Sequence, residues 1–277
     1  MKHEEYSWNT SDRLTLFGQV WQPEDEPRGV IALVHGLGEH SGRYQPVAGR
    51  FCQLGLATIS FDLRGHGRSE GKRGHIPSYE TALDDIDHLL SEAALRFPQK
   101  PRFLYGHSLG GALVLYHLMR RAPDVAGAIV TSPGLEPGNA PGALLAVARL
   151  LDRLAPSFTM ANQLDVTGLS HDQRIIDAYR QDPLVHGRIS VRLALQLIDC
   201  GRWVVEHAAG YPDIPLLLLQ GKADRLVSPG AVARFASQVR GPVTYHAWDQ
   251  LYHELHHEPE KEEVFAVMQS WLETRLR

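Results

Sequence analysis

Cysteine is nearly missing from this chain. Of its 277 residues only Cys52 and Cys200 carry a thiol, with no C-x-x-C spacing, which excludes a disulfide framework and a thiolate metal knot. Both fall in helix-like stretches and are expected to be buried, reduced thiols. A basic block is missing too: 32 acidic and 28 basic side chains are scattered along the chain for a formal charge of −4, so the electrostatic footprint of a nucleic-acid binder is absent. Long hydrophobic runs are also lacking. The most apolar stretches, Leu216 to Leu219 and Ala143 to Ala148, fall far short of the ~18 residues that cross a bilayer, which excludes a span but not a peripheral contact. Met1 to Trp8 carries Glu4 and Glu5 in place of a basic stretch followed by an apolar one. No secretory signal is read there, and a cytoplasmic protein, peripheral at most to a membrane, is expected. There is no internal repeat or low-complexity segment.

What is present is the composition of a globular protein, 43% hydrophobic and 22% charged, with enough apolar side chains for a sizeable core. The length suits one core carrying an insertion. After early strands around Arg13 to Trp21, short apolar runs (Val30 to Val34, Ala57 to Phe61, Phe103 to Tyr105, Ala126 to Thr131) alternate with helical patterns (Tyr44 to Leu54, Tyr79 to Phe97, Ala112 to Arg120). That alternation predicts a mostly parallel sheet covered by helices on both faces. It breaks between about Pro133 and Gly210, where helix-like pieces such as Ala143 to Leu154 and Val191 to Val205 stand without a buried strand. It then resumes with a strand at Pro215 to Gln220, a helix at Ala231 to Val239, a strand at Val243 to Ala247 and a helix from about Pro259 to Leu276. The expected organisation is a core in two parts, 1–133 and 211–277, with a helical cap at 134–210.

The sharpest local signal is Gly106-His107-Ser108-Leu109-Gly110-Gly111, directly after one strand and directly before a helix. A serine on such a strained turn is a nucleophile elbow, and the small residues two positions either side avoid clashes with the neighbouring strand and helix. Taken alone, the same pattern also describes a glycine-rich turn whose serine caps a helix. Serine at its ordinary pKa is a poor nucleophile and needs a base that is itself oriented by an acid. With the order Ser, acid, His, the acid belongs on the loop after a later strand. Asp224 meets this condition, Asp213 precedes that strand, and Asp249 comes too late. Of His246, His253, His256 and His257, the first lies within a strand, while His253 is on the loop before the last helix. A zinc site on His253, His256 and His257 lacks a fourth ligand and leaves the elbow unexplained. The catalytic expectation is therefore Ser108, Asp224 and His253. The backbone N–H groups of Leu109 and of Leu37, in the turn His35-Gly36-Leu37-Gly38, are the expected oxyanion donors, each worth roughly 3–4 kcal/mol in the transition state.

Five segments carry a more specific pattern: HGLGEHSGRY at 35–44, FDLRGHGRSEG at 61–71, GHSLGG at 106–111, LLLQGKADRLV at 217–227 and YHELHHE at 252–258. With them the chain resembles the monoacylglycerol lipases and related lysophospholipases of the α/β-hydrolase superfamily, over nearly its whole length and least in the cap, where YRQDPL at 179–184 looks like that family's exit from the lid. The resemblance implies an α/β-hydrolase fold with an inserted helical cap and the same triad and oxyanion donors. It implies no metal or organic cofactor, a lipid ester substrate, and a polar pocket for a glycerol head group on Glu39, Arg43 and His256, with Tyr179 reaching in from the cap. A bland alternative for Glu39 and Arg43 is an ion pair at a helix start. Leu37 stands where that family often has a smaller residue, which leaves the width of the pocket open and the backbone donor unaffected.

Ala143 to Leu154 bears Arg149, Asp152 and Arg153 as a narrow polar stripe on an otherwise apolar helix. Such a helix either packs fully within the cap or presents apolar surface to an acyl chain or a membrane. The expected reaction is hydrolysis of a monoacylglycerol to glycerol and fatty acid. The alternatives are a lysophospholipase or broad carboxylesterase with the same triad, a peptidase needing an anionic site for a free amino terminus, and a catalytically inert lipid binder, which would lack a triad member. Oligomeric state is not legible in the sequence.

Overall fold

In the computed structural model, which describes residues 1–136 and 142–276, the strand periodicity resolves into one eight-stranded sheet. The chain runs through β1 (Lys2–Asn9), β2 (Thr15–Gln22), β3 (Gly29–Val34), α1 (Gln45–Gln53), β4 (Leu56–Phe61), α2 (Tyr79–Arg96), β5 (Arg102–His107), α3 (Leu109–Arg121) and β6 (Gly127–Thr131). An excursion follows, made of α4 (Gly142–Leu154), β7 (Thr159–Ala161), α5 (Gln173–Gln181), β8 (Arg188–Ser190) and α6 (Val191–Glu206). The chain then returns to the sheet as β9 (Leu216–Gly221), α7 (Pro229–Gln238), β10 (Val243–Trp248) and α8 (Lys261–Glu273). Residues 137–141 of the expected cap and residue 277 of the second core part lie outside the described residues.

The strand order is β1-β2-β4-β3-β5-β6-β9-β10, antiparallel at β1-β2 and β2-β4 and parallel elsewhere. The central strands are apolar on both sides because both faces are covered. On β3, Val30, Ala32 and Val34 enter the core under α2, α3 and α6, while Ile31 and Leu33 pack with α1 and α8 on the opposite face. Leu216 and Leu218 of β9 divide from Leu217 and Leu219 in the same way. From β3 the chain steps outward to β4 and then crosses back to β5 on the other side of β3. The loops leaving the carboxyl ends of β3 and β5 therefore diverge and leave a crevice, the position where such sheets bind ligands.

The structure corrects one expectation, adds one strand and shows which face of α4 is exposed. β1, unread in the sequence, is an edge strand with a mostly exposed polar face, so KHEEYSWN lacks the alternation of a half-buried strand. Cys52 on α1 is half-buried where burial was expected, whereas Cys200 on α6 is buried. Both thiols are free, and burial raises the pKa of each, that of Cys52 to about 11. The third concerns α4: no residue of it is buried. Its polar stripe turns toward α6, where Arg149 pairs with Asp199 at 2.8 Å and Asp152 with Arg192 at 2.5 Å. Its apolar positions face outward, with Leu144, Val147, Leu150 and Leu154 between 59% and 77% exposed. Among the described residues no helix is long and apolar enough to cross a membrane.

Candidate active site

Ser108 stands between β5 and α3 at φ 54° and ψ −118°, a conformation that L-residues adopt only under strain. The flanking glycines make it sterically accessible. A Cβ on Gly106 would lie 2.5 Å from the Gly110 carbonyl oxygen, and one on Gly110 only 2.2 Å from that of Val34. The turn is anchored by Ser108 N–H donating to the Thr131 carbonyl at 3.1 Å and by Gly134 N–H donating to the Ser108 carbonyl at 3.0 Å. The hydroxyl faces a cavity of about 670 Å³ whose wall also includes His253, Leu37 and Leu109.

His253 is buried in the loop after β10, and its Nδ1 lies 2.8 Å from Asp224 Oδ2. An ionised carboxylate only accepts, so Nδ1 carries the proton and the Nε2 of the neutral ring keeps its lone pair, able to act as a base. Asp224 is itself held: Oδ1 accepts from the N–H groups of Leu226 (2.8 Å) and Val227 (3.1 Å), and Oδ2 also accepts from Gln220 Nε2 (3.1 Å). Burial pushes the Asp224 carboxyl upward, but the His253 charge and hydrogen bond and the two backbone donors outweigh it and leave it below the ordinary value. For His253 burial acts downward, and the Asp224 charge and hydrogen bond reverse it, so the imidazole sits above its ordinary value. Ser132 Oγ donates to the His253 carbonyl at 2.8 Å and fixes the loop. His107, its ring 4.8 Å from that of His253, is pushed down to about 4, mainly by burial, and is a neutral neighbour.

At the end of β3, Gly36 N–H donates to Glu39 Oε1 at 2.6 Å, and Gly38 takes φ 78° with the His186 carbonyl where a Cβ would lie. This turn leaves the Leu37 N–H, like the Leu109 N–H at the start of α3, without an acceptor among the described residues. Two N–H groups beside a serine and bordering one cavity are what a developing oxyanion requires.

The residues implied for the head group do not share one wall. Glu39 and Tyr179 line the Ser108 cavity; Arg43 and His256 do not. Arg43 lies behind, its Nη1 bonded to Glu39 Oε2 (2.5 Å) and Glu254 Oε1 (2.7 Å), its Nη2 to Glu254 Oε2 (2.9 Å), and its guanidinium 4.8 Å from the centre of the Tyr179 ring. Burial raises the Glu39 carboxyl, and the Arg43 charge overrides this and holds it below its ordinary value. His256 is buried among the rings of Tyr44, His107 and His257, and neither of its nitrogens has a partner among the described residues. Burial drives it well below its ordinary value, so it is neutral. It forms part of the one group of possible metal ligands among the described residues, Glu254, His256 and His257. Because Glu254 already has both oxygens on Arg43, a cation there would sit against a guanidinium.

Sequence reading gave no role to Gln220 and Glu254. A glutamine ending the otherwise apolar run LLLLQ is a legible signal; the ion pair of Glu254 with Arg43, 211 positions away, is not.

A family model described as serine aminopeptidase, S33 matches residues 25–260. An uncharacterized abhydrolase domain-containing protein of Dictyostelium discoideum is 40% identical over 96% of this chain, which spans 28% of that protein's length. A monoacylglycerol lipase of Mycolicibacterium smegmatis is 35% identical over 98% of each chain. The crystal structure of a monoacylglycerol lipase from Paleococcus ferrophilus aligns over 99% of this chain and 100% of that one, with a TM-score of 0.83 and 33% identity.

Proposed function

Because the chain belongs to the serine aminopeptidase S33 family, among the carboxylic ester hydrolases of the monoacylglycerol lipase type, we propose that it cleaves a monoacylglycerol to glycerol and a free fatty acid. The observation that carries this reading is the polarity of the Ser108 cavity. Leu144, Leu169, Leu197 and Ile198 offer an acyl chain an apolar wall, while Glu39 and Tyr179 provide a polar corner beside the Leu37 turn. Glu39 Oε1 already accepts two hydrogen bonds, from Gly36 N–H and the Tyr44 hydroxyl, but Oε2 accepts only one, from Arg43. It retains capacity for one substrate hydroxyl.

In this reading Ser108 Oγ attacks the ester carbonyl as His253 Nε2 takes its proton, and the oxyanion is met by the N–H groups of Leu37 and Leu109. His253 passes the proton to the departing glycerol oxygen. A water then repeats the sequence on the acyl-enzyme and releases the fatty acid and Ser108. Residues 134–210 act as a cap over the core parts 1–133 and 211–277. The peptidase alternative needs a carboxylate free for an ammonium group, whereas both glutamates of this wall are engaged by Arg43 and its aspartate, Asp165, accepts from the Thr167 N–H and hydroxyl and lies 3.8 Å from Arg225.

Turnover of a monoacylglycerol, the lysophosphatidylcholine of the same acyl chain and a short-chain aryl ester tests the assignment. The monoacylglycerol is expected to give the highest kcat/KM, and a higher value for the lysophospholipid would refute the assignment.

The outward apolar face of α4 supports a second element of the reading, contact with a lipid surface. Leu144 belongs both to this face and to the cavity wall, which also holds the half-exposed Met160 of β7, so a docked cap would place the acyl entrance at the lipid. Apolar burial contributes about 25 cal/mol per Å² and is insensitive to salt. The protein is expected to float with zwitterionic vesicles at low and high salt, and Leu150→Asp with Leu154→Asp to reduce the floated fraction at least tenfold. Absence of wild-type protein from the vesicle fraction would remove this element.

A further inference from the structure

We infer that Asn162 is a specificity-determining residue: its carboxamide nitrogen donates a hydrogen bond to a hydroxyl oxygen on the alcohol part of the ester, beside Tyr179 Oη. The inference rests on the monoacylglycerol reading and adds to it a donor that neither the motifs nor the implied head-group pocket contains.

Asn162 follows β7, and its N–H donates to the Gly187 carbonyl at 2.9 Å, extending the β7-β8 ladder. Its Oδ1 accepts from the Leu164 N–H at 3.1 Å. A backbone N–H can only donate, so the oxygen end of the amide is committed to Leu164 and the NH₂ end points the other way. That Nδ2 is buried and has no acceptor among the described residues. A buried donor left unpaired forfeits its hydrogen bond to water without replacement, a loss that a ligand oxygen would recover.

Its surroundings identify the ligand atom. Asn162 is part of the Ser108 cavity wall, together with Glu39 and Tyr179. The point where a Gly38 side chain would begin lies 3.5 Å from Tyr179 Oη and 3.7 Å from Asn162 Nδ2, so both polar groups face the turn that carries the Leu37 N–H. The hairpin is tied to that turn by His186 N–H donating to the Gly38 carbonyl at 2.8 Å, which holds the amide in place relative to Ser108. The partner must supply a lone pair. It must also be uncharged, since the Arg43 charge behind this corner is already offset by Glu39 and Glu254, and Arg225, the cation within the cavity wall, lies 3.8 Å from Asp165 and bonds to Thr167. A hydroxyl of a neutral polyol meets both conditions: its oxygen accepts from Asn162 while its hydrogen is free for Glu39 Oε2.

The test compares kcat/KM for a 1-monoacylglycerol with that for the methyl ester of the same fatty acid, which lacks the hydroxyls. Asn162→Asp retains an oxygen for Leu164 and exchanges the donor for an acceptor; Asn162→Ala removes the amide without new demands on space. Thermal melts of each variant accompany the kinetics. Each variant is expected to lose roughly three- to tenfold more on the glycerol ester than on the methyl ester, the worth of one hydrogen bond. Parallel losses on both esters, or no loss on either, would overturn the inference while leaving the monoacylglycerol reading intact. A wild-type enzyme with no preference for the glycerol ester would overturn both, and that outcome is read before any variant is made.

Discussion

Ser108→Ala is expected to lower ester turnover by roughly 10⁴-fold or more, to the residual rate that oxyanion donors and binding alone sustain, and to abolish labelling by a fluorophosphonate probe. The reason is local. Ser108 is set at the top of the elbow with its hydroxyl toward the cavity, flanked by Leu37 and Leu109 N–H groups that lack acceptors among the described residues. The strain of the elbow supplies a control. At φ 54° a side chain is disfavoured, and Ser108→Gly is expected to be as inactive as the alanine variant yet more stable by about 1 kcal/mol, read from urea unfolding. Equal labelling of wild type and Ser108→Ala would remove Ser108 from the reaction, whatever the stability of the glycine variant.

Asp224→Asn is expected to cost about 10⁴-fold in kcat, the size of effect that follows when the acid of a triad no longer sets the imidazole tautomer, and to move the pH profile. In the proposed mechanism His253 must be neutral to accept the Ser108 proton, and Asp224 holds its pKa above the ordinary 6.5 of a free imidazole. Activity therefore falls as pH drops through a value above 6.5. Without the carboxylate, burial, the largest influence on the ring, acts downward against only the smaller upward influences of Glu254 and Glu39; the acid limb of the residual activity moves to lower pH. Stability carries opposite signs for the two partners. The raised His253 contributes stability that is present below its unfolded pKa and is lost as pH rises through the folded one. The depressed Asp224 contributes stability that is present above its unfolded pKa and is lost as pH falls through the folded one. A variant whose acid limb is unmoved would show that Asp224 does not act through His253.

The sheet was legible because strands covered on both faces are mostly apolar without alternation, and the runs at β3, β4, β5, β6 and β9 are. β1 was not, since an edge strand with one exposed face can be built from charged residues. Among candidate site residues, Ser108 was legible from its glycines, because a backbone that tight rejects any Cβ two positions away. Asp224 and His253 followed from chain order, since loops at the carboxyl ends of parallel strands share one edge of the sheet. The head-group residues were legible as a set and not as positions. Glu39 reaches the cavity because Gly36 and Tyr44 turn it inward, whereas Arg43, four residues on, is drawn behind it by Glu254.

The sequence by itself determined the parallel sheet, the elbow and the chain order of Ser108, Asp224 and His253, the proposed nucleophile, acid and base, all of which depend on local periodicity and on which residue types a turn can hold. Only the tertiary structure decided which face of α4 turns to solvent, which polar groups near Ser108 are already paired, and which donor, the Asn162 amide, is left over. A helix pattern states that two faces differ without saying which meets a partner, and a side chain's free hydrogen-bonding capacity depends on neighbours that are distant in the chain.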